Sequence, residues 1–240
     1  MAGKFFRCYA KVSINNKYCL KLDIKKYFPS IDHNILKKTL EKYIKDRKIL
    51  NIFDLIIDGS SNSTEITKYY PQDDLLTPLV RKKGIPIGNL TSQIFANLYL
   101  NNLDHIIKEK LKVQTYLRYV DDLFLLGNDK KLLWQYADSI EYELFNLRLM
   151  LHPKKRQIYQ TKDGVDVLGY RVFPEYRLLR NDNGYRFKRK LKKYARKYSE
   201  GKAQWKEFNP SVQSWLGHAK HADTFGLRRN IFSSTIFIRG

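Results

Sequence analysis

Residues 116–126 of this 240-residue chain, YLRYVDDLFLL, carry its strongest structural signal. Two apolar arms of β-prone residues, 116–120 and 123–126, stand on either side of Asp121 and Asp122. Apolar arms around a short polar break are the pattern of a β-hairpin, because the polar pair can occupy the turn. The sequence therefore predicts two adjacent carboxylates at the tip of a hairpin.

A third aspartate ends another predicted strand. Asp23 closes the apolar run 18–24 just before a turn, so it can lie at the same sheet edge as the hairpin tip. Neighbouring buried carboxylates repel unless a cation lies between them, and Arg118 is the one compensating charge close by in sequence. Mg²⁺ prefers a few carboxylates with water and phosphates, so Asp23 and Asp121 would suffice for a metal site. On spacing alone, the alternative is an ordinary solvated turn.

The rest of the chain alternates between strand and helix periodicity, which predicts an α+β or α/β domain. A helix opened by Ser30 or Asp32 follows the first strand, and a second helix follows Gly88. Residues 130–150 return to helical spacing, and the C-terminal segment is expected to be helical. Two short strands are expected, around 156–159 and 165–172.

Two polar segments are expected to be loops. Residues 60–83 are polar, and the pair Asp73 and Asp74 within them is expected to be solvated. Residues 180–184 contain Asn, Asp and Gly, which are turn formers because they bond locally or tolerate positive φ. This second segment marks a predicted domain boundary.

The composition points to a folded basic protein. Lysine and arginine number 45 against 24 acidic residues, a net charge of +21 that favours nucleic acid as a partner. Apolar residues at 43% exclude a disordered basic tail. Cys8 and Cys19, the two cysteines, exclude a disulfide framework. Because neither a membrane-length apolar run nor a signal-peptide core is seen, we expect a soluble, cytoplasmic protein with no membrane partner.

The positive charge is concentrated near the C-terminus. Residues 180–240 hold 15 basic and four acidic residues, more than half of the excess charge of the whole chain. Like charges crowded on one predicted helix need an external partner, and nucleic-acid phosphates would supply it. The alternative is a solvated basic face. The residues concerned are Arg186, Lys188, Arg189, Lys190, Lys192, Lys193, Arg196 and Lys197.

Five short motifs occur in the order in which reverse transcriptases carry theirs. They are LDIKKYF at 22–28, GIPIG at 84–88, YVDD at 119–122, LHPKK at 151–155 and VLGYR at 167–171. The chain therefore resembles prokaryotic reverse transcriptases of the group II intron-like lineage, over roughly residues 18–227. Reverse transcriptases are RNA-directed DNA polymerases, so the resemblance implies a nucleotidyltransferase.

The resemblance implies an α+β fold with a right-hand polymerase palm, an antiparallel sheet with packed helices, and a helical thumb. Residues 1–17 would be a remnant of the fingers or a linker, residues 18–180 the palm, and residues 181–240 the basic thumb. Only 22 residues precede Asp23, where relatives have a fingers subdomain. The expectation is a truncated gene, a fragment, or fingers supplied by another chain, and the activity of so short a chain is left open.

The resemblance also implies roles for individual residues. Asp23, Asp121 and Asp122 would be catalytic and, with the Ile24 carbonyl, would hold two Mg²⁺ ions, for which Mn²⁺ could substitute. Lys155 would protonate the leaving pyrophosphate. The substrate-binding residues would be Ile24, Lys26, Tyr27, Phe28, Ile87 and Gly88, with Phe28 as the steric gate against a 2′-hydroxyl. Nucleic acid would contact Tyr119, Gly169, Tyr170 and the eight basic residues named above.

One departure from the common motif points to a subtype. Ile87 stands where most relatives have glutamine, and this version resembles reverse transcriptases of diversity-generating retroelements, which copy RNA with errors opposite adenine. Ile87 could instead fill core beneath a helix. The implied partners are an RNA template, a DNA primer, deoxynucleoside triphosphates and a small basic oligomeric accessory protein, in a prokaryotic or phage-encoded system. The alternatives are a retron or group II intron type enzyme and a non-catalytic RNA-binding protein.

Overall fold

The computed structural model describes residues 2–60, 69–71 and 73–238. They form two compact units, a central unit of residues 18–159 and a terminal unit that combines residues 1–17 with 160–240. Residues 160–180, predicted with the palm, thus group with the two chain termini. They do so because their three strands pair among themselves and Thr161 N donates to Lys17 O at 3.0 Å. The assignment of segments to fingers, palm and thumb stays a prediction.

A four-stranded sheet organises the central unit. Its strands are β1 (Tyr18–Asp23), β2 (Thr115–Tyr119), β3 (Asp122–Gly127) and β4 (Gln157–Gln160), in the order β2-β3-β1-β4. β3 pairs antiparallel with both β1 and β2, which confirms the predicted hairpin. The expectation that Asp121 and Asp122 together form the turn was wrong, because Asp122 pairs with Tyr119 and the turn is shifted to Val120 and Asp121. In this register the last residue of β1, Asp23, lies opposite Asp122.

Alternation along the strands separates a core face from a functional face. Leu20 and Leu22 of β1 and Leu123 and Leu125 of β3 are fully buried. Burying such side chains stabilises the fold by about 1.5–3 kcal/mol each. Asp23 lies on the opposite face of β1 from these leucines, so the apolar core fixes where this carboxylate points.

Helices surround the sheet of the central unit. Asp32 caps α3 through Ile35 N at 3.1 Å, which decides between the two predicted caps. The helix expected after Gly88 ends at Tyr99 and resumes as a shorter helix and a π-helical turn. α4 was not predicted, and residues 61–68 and 72 of the expected loop 60–83 lie outside the described residues. The bounds are α2 Tyr27–Ser30, α3 His33–Tyr43, α4 Arg47–Asp58, α5 Thr77–Val80, α6 Leu90–Tyr99, α7 Asn101–His105, the π-turn Ile106–Lys110 and α8 Lys130–Asn146.

The terminal unit contains a small sheet and the basic helices. The expected strand 165–172 is a hairpin that turns at Leu168 and Gly169, both with positive φ. Phe187 and Trp215 stack at 3.9 Å and pack α9 against α10. Neither α1 nor β7 was predicted, and the loop expected at residues 180–184 was wrong because residues 181–184 form the first turn of α9. The elements are α1 Ala2–Ser13, a 3₁₀ turn Thr161–Asp163, β5 Val165–Val167, β6 Tyr170–Val172, β7 Arg177–Leu179, α9 Asn181–Ser199, α10 Trp205–Ala219 and α11 Phe225–Ser233.

Within the described ranges, no helix has both the length and the apolar character needed to cross a bilayer.

Candidate active site

The turn between β2 and β3 is strained. Val120 and Asp121 are its two central residues, and Val120 has φ 56°, in the left-handed region. A positive φ at the first central position is typical of a II′ hairpin turn, where glycine is usual. A β-branched residue there costs on the order of 1–3 kcal/mol. Arg118 Nη1 donates to Val120 O at 3.1 Å and helps to hold the turn, so the strained backbone fixes Asp121 at the tip.

Three carboxylates meet at this turn. Asp23 and Asp122 are opposite each other on β1 and β3, and Ile24 N donates to Asp121 O at 3.3 Å. Burial raises the pKa of Asp121, and the charges of Asp122 and Asp23 raise it further. Burial also raises the pKa of Asp122, although Lys21 works against that rise. The structure thus brings Asp23 to the adjacent pair Asp121 and Asp122, which follow it in sequence by about 100 residues.

The basic side chains beside these carboxylates do not include Arg118, the one positive charge close to the pair in sequence. Arg118 is engaged elsewhere, because its Nε donates to Asp104 Oδ1 at 2.8 Å. Instead Lys155 Nζ donates to Asp23 Oδ2 at 2.8 Å and Lys21 Nζ lies 3.5 Å from Asp122 Oδ1. The hydrogen bond to Asp23 raises the pKa of Lys155. Three carboxylates against two lysines leave the cluster with a net negative charge.

Lys21 is the site residue that sequence reasoning missed. It stands two residues before Asp23 on the same strand, and side chains at i and i+2 of a strand share one face. A lysine in an otherwise apolar strand, two positions before an aspartate, is the signal that could have identified it.

Backbone hydrogen bonds hold the Lys155 segment against the end of β1. Lys25 N donates to Met150 O and His152 N donates to Asp23 O, both at 2.8 Å. Lys155 N then donates to His152 O at 2.9 Å, which closes a turn beneath the lysine. These bonds fix the segment at the end of β1, where the Lys155 ammonium donates to Asp23. The action of Lys155 on the leaving group stays a prediction.

Residues 84–88 are bonded to the segment that follows β1. Ile85 N donates to Phe28 O at 3.1 Å, and Gly84 N donates to Ile31 O at 2.8 Å. Gly88 has φ 104°, a conformation that only glycine adopts freely. The Ile87 side chain is 77% exposed, so it does not fill core beneath a helix. Phe28 and residues 85–88 therefore form one connected structure.

The other residues predicted to bind substrate differ in exposure. Lys26 is exposed and has φ 47°. Tyr27 is buried, and its hydroxyl donates to Ala96 O at 2.5 Å. Phe28 is half-buried and packs edge-to-face on Tyr27 with 5.7 Å between ring centroids. Tyr119 is half-buried at the end of β2. Substrate binding by these side chains stays a prediction.

The residues predicted to contact nucleic acid in the terminal unit form two groups. Tyr170 is buried, and its hydroxyl lies 2.8 Å from His218 Nδ1. Gly169 has φ 87°, and a Cβ there would lie 3.7 Å from His218 Nε2. The basic residues of α9 are exposed, apart from Lys188, which is half-buried and donates to Asn230 at 3.1 Å. Nucleic-acid contact by either group stays a prediction.

The donor atoms fit a hard divalent cation. Carboxylate oxygens and a backbone carbonyl are the ligands that Mg²⁺ prefers, and the raised pKa values of Asp121 and Asp122 mark a charge that the protein has not balanced. No group of three or more His, Cys, Asp or Glu side chains in the described part of the chain is arranged to hold a metal ion by itself. An ion that takes one or two carboxylates and completes its shell with water and phosphates fits these residues.

A second charge cluster in the central unit is fully paired. Asp32 and Asp73 bind Arg81 and Arg148, with 2.6 Å from Arg148 Nη1 to Asp32 Oδ2 and 2.7 Å from Arg148 Nη2 to Asp73 Oδ1. Arg81 Nε lies 3.6 Å from Asp32 Oδ2, and Arg81 also bonds Asp73. The expectation that Asp73 is solvated was wrong, because the two guanidinium groups draw its carboxylate out of water.

The sequence profile described as reverse transcriptase (RNA-dependent DNA polymerase) matches residues 4–172, more than two thirds of the chain. The chain is also similar to the Retron Ec73 reverse transcriptase of Escherichia coli. Identity is 30% over 120 residues, covering 48% of this chain and 34% of the relative. The matched region thus spans about a third of the length of that relative.

Two solved telomerase structures from Candida tropicalis share the fold. The apo telomerase has a TM-score of 0.53 at 16% identity, covering 72% of this chain and 35% of that chain. The telomerase in complex with a TWJ fragment of telomeric RNA has a TM-score of 0.50 at 17% identity, covering 72% and 31%. At such identities the likeness shows the fold alone, an α+β arrangement of helices around an antiparallel sheet.

Proposed function

The chain belongs to the reverse transcriptase family, and from this premise we propose that it extends a DNA primer on an RNA template with deoxynucleoside triphosphates. The observation that carries the proposal is the convergence of Asp23, Asp121 and Asp122 on one sheet edge with an excess of negative charge. The match covers about a third of the retron relative, so the activity, substrates and partners of this chain are proposals.

Reverse transcriptase domains generally use divalent metal ions, and we propose Mg²⁺, with Mn²⁺ as a substitute. Asp23, Asp121 and the Ile24 carbonyl would hold the ions, with Asp122 beside them. Bound there, the ions would supply the positive charge that lowers the pKa of the primer 3′-hydroxyl and neutralises charge developing on the phosphate. The protein supplies the rigid sheet edge that keeps the oxygen donors in place.

Lys155 would act on the leaving group. Its ammonium is held beside Asp23 by a hydrogen bond, and its segment is fixed to the end of β1. An ammonium near a departing pyrophosphate can stabilise its charge and donate a proton to it. The Lys155 side chain is 52% exposed and can move to the phosphates, whereas the Asp23 carboxylate it leaves is 14% exposed and would then be paired by the bound cations.

Phe28 would select the sugar. Its backbone carbonyl accepts from Ile85 N and its ring packs on Tyr27, so the ring cannot move aside easily. A fixed ring against the C2′ position of a bound nucleotide excludes a 2′-hydroxyl by collision. Lys26, Gly88 and Tyr119 would line the same nucleotide and primer path.

The proposed function is tested by primer extension on an RNA template with Mg²⁺ and deoxynucleotides. Wild type is expected to extend the primer, and Asp121→Asn to lose at least about 10³-fold of the rate, because an amide no longer attracts the cations. Asp138→Asn, at an exposed aspartate of α8, is the control and is expected to retain full activity. If wild type extends no better than Asp121→Asn, the alternative of a non-catalytic RNA-binding protein is favoured.

We also propose that Ile87 lowers fidelity, as in diversity-generating retroelements. Its exposed side chain carries no hydrogen-bonding group, so it cannot test the geometry of a nascent base pair. Ile87→Gln is expected to reduce misincorporation opposite template adenine severalfold, on the order of 1 kcal/mol of discrimination. Ile87→Met, which stays apolar, is the control and should leave the error rate unchanged. Equal error rates in all three proteins would contradict the proposal.

A retron-type enzyme is the second candidate, favoured by the 30% identity to the Retron Ec73 reverse transcriptase. A low error rate opposite adenine in the wild type would favour it. A small basic accessory protein stays a proposal for the first candidate. Two strongly basic proteins repel each other, so an RNA would have to bridge them. Co-purification that is lost on ribonuclease treatment would support that bridge.

A further inference from the structure

We propose that Lys21 is a positioning residue of the active site, which neutralises Asp122 from within the sheet and leaves Asp23 and Asp121 as the carboxylates available to divalent cations. This inference rests on the proposed function, since it concerns the same carboxylates. It assigns different tasks to the acidic pair at the hairpin tip.

Strand geometry brings Lys21 to Asp122. Lys21 and Asp23 share one face of β1, and the register pairs Lys21 with Phe124 and Asp23 with Asp122. Asp122 is therefore the diagonal neighbour of Lys21 across the two strands, within reach of a long side chain. Lys21 Nζ lies 3.5 Å from Asp122 Oδ1 and 5.5 Å from the centroid of the Phe124 ring. The ring and the carboxylate together define one place for the ammonium.

Burial makes this pairing necessary. β1 is an internal strand, and the side chains of Lys21 and Asp122 are each only 18% exposed. Lysine is rarely found in such a position unless it is paired. The Oδ1 atom of Asp122 is shielded from solvent, so water cannot stabilise its charge and the protein has to do so. The same shielding removes this oxygen from the donors available to a metal ion.

The two lysines of the site therefore differ in kind. Lys155 comes from a turn, is 52% exposed and can exchange Asp23 for another partner. Lys21 lies close to both Phe124 and Asp122, and its departure would leave the partly buried Asp122 carboxylate without this counter-ion. Lys21 is thus a permanent counter-ion and Lys155 an exchangeable one. Asp122 shapes the site, while Asp23 and Asp121 meet the ions.

A double-mutant cycle on Mn²⁺ binding tests the proposal. Binding is measured by the electron paramagnetic resonance of free Mn²⁺, on the full chain without nucleic acid or nucleotide. Lys21→Met removes one positive charge and is expected to bind Mn²⁺ about tenfold more tightly. Asp122→Asn releases the Lys21 ammonium toward Asp23 and Asp121 and is expected to weaken Mn²⁺ binding about a hundredfold. The double variant is expected to return to within about threefold of wild type. Lys21→Met would then strengthen binding about tenfold alone and about a hundredfold beside Asp122→Asn, and this difference measures the coupling of the two residues.

Two single variants serve as controls. Lys130→Met removes an exposed lysine of α8 whose Nζ lies 4.8 Å from the ring of Tyr18, at the start of β1. Mn²⁺ affinity should not change in this variant. Lys21→Arg keeps the charge and should keep the affinity of wild type. The proposal is overturned if folded Lys21→Met binds Mn²⁺ no more tightly than wild type, or if Lys21→Met has the same effect with and without Asp122→Asn.

A measurement on wild type decides the matter should Lys21→Met fail to fold. Lysine acetylation by acetic anhydride, followed by mass spectrometry, is compared with and without Mn²⁺. Lys155 is expected to react faster when Mn²⁺ displaces it from Asp23, whereas Lys21 stays slow in both conditions. Mn²⁺-dependent labelling of Lys21 would contradict its permanent pairing with Asp122.

These tests separate this inference from the proposed function. Mn²⁺ binding and acetylation need no turnover, while primer extension by the same wild-type preparation reports the polymerase activity. Coupling between the Lys21 and Asp122 substitutions, in a protein that does not extend primers, supports the pairing and rejects the proposed function. Primer extension without that coupling rejects the pairing alone.

Discussion

The central unit holds two clusters of acidic and basic side chains that differ in charge balance and in exposure to solvent. In the paired cluster, two aspartates face two arginines, and the side chains of Asp32 and Arg81 are 1% and 4% exposed. At the hairpin, the three carboxylates of Asp23, Asp121 and Asp122 meet two lysines within the described part of the chain, and one of these lysines is half-exposed. The charges of the first cluster balance and are buried, whereas the second cluster has an excess of negative charge and is partly exposed to solvent.

The difference separates structural charges from functional ones. The paired cluster joins the start of α3, the segment around Asp73 and the turn at Arg148, so it fixes three parts of the chain with charges that satisfy one another. At the hairpin, burial and mutual repulsion raise the pKa of Asp121 and Asp122, which a fold built for stability alone would avoid. Unbalanced charge at a strained turn is the feature on which the proposed cation site rests.

The same substitution in the two clusters should have different consequences. Asp32→Asn keeps the cap on α3, because asparagine caps as well as aspartate, but leaves two arginines with one carboxylate. We expect the free energy of unfolding to fall by about 3 kcal/mol, measured by urea denaturation. Asp46→Asn is the matched control, since Asp46 caps α4 on the surface through Lys48 N at 2.7 Å. A loss as large in Asp46→Asn as in Asp32→Asn would show that capping, not pairing, is the cause.

At the hairpin, Asp121→Asn should stabilise the protein while it abolishes activity. The amide removes a charge that is repelled by Asp23 and Asp122, so without divalent cations the free energy of unfolding should rise. Water screens this partly exposed site, so we expect a gain below about 1 kcal/mol. A clear loss of stability would mean that the Asp121 carboxylate has a structural partner.

The pH dependence of stability should have opposite signs in the two clusters. Although burial works the other way, the Tyr70 N–H and the two guanidinium groups hold the pKa of Asp73 below its usual range. Its contribution is therefore present at neutral pH and lost as the pH falls through that lowered pKa. The pKa of Asp121 is raised, so its ionisation destabilises the metal-free fold as the pH rises above the usual aspartate value of about 3.9.

Urea denaturation between pH 3 and pH 7 measures both effects. The advantage of Asp121→Asn over wild type should appear only at the higher pH values, and the defect of Asp73→Asn should shrink at the lowest ones. If the difference in unfolding free energy from wild type changed with pH in the same direction for both variants, the opposite signs predicted for the two clusters would be contradicted.

The basic helix α9 extends the comparison to charges with few acidic neighbours. If its exposed lysines bind phosphates, each one removed should lower the slope of log affinity against log salt by about one unit. Lys192→Ala with Lys193→Ala is expected to reduce that slope by about two, measured on an RNA–DNA duplex. Lys202→Ala is the control, because Lys202 pairs with Glu200 at 2.9 Å. An unchanged slope in the double variant would favour a merely solvated basic face.

Local patterns predicted the parts of the site that depend on local structure. The hairpin followed from two apolar arms around Asp121 and Asp122, and the cap of α3 followed from an aspartate before an apolar stripe. The apolar run of β1 also predicted that Asp23 would reach the same edge of the sheet. These features depend on neighbours in sequence, where periodicity is informative.

The partners of charged groups were not predictable in the same way. Arg148 and Asp73 are 75 residues apart, and no periodicity links them, so Asp73 was expected in a solvated loop. Arg118 is the one compensating charge near the hairpin in sequence, but its Nε donates to Asp104 Oδ1 at 2.8 Å. Which cation meets which carboxylate depends on long-range packing, which sequence patterns do not encode.

We propose that the carboxylates at the hairpin form a metal centre. Diffraction from crystals soaked in Mn²⁺, recorded for anomalous scattering, tests this directly. A manganese peak is expected in contact with the carboxylates of both Asp23 and Asp121, and it should be absent from crystals of Asp121→Asn. Manganese bound elsewhere, or a site at the hairpin that persists in Asp121→Asn, would contradict it.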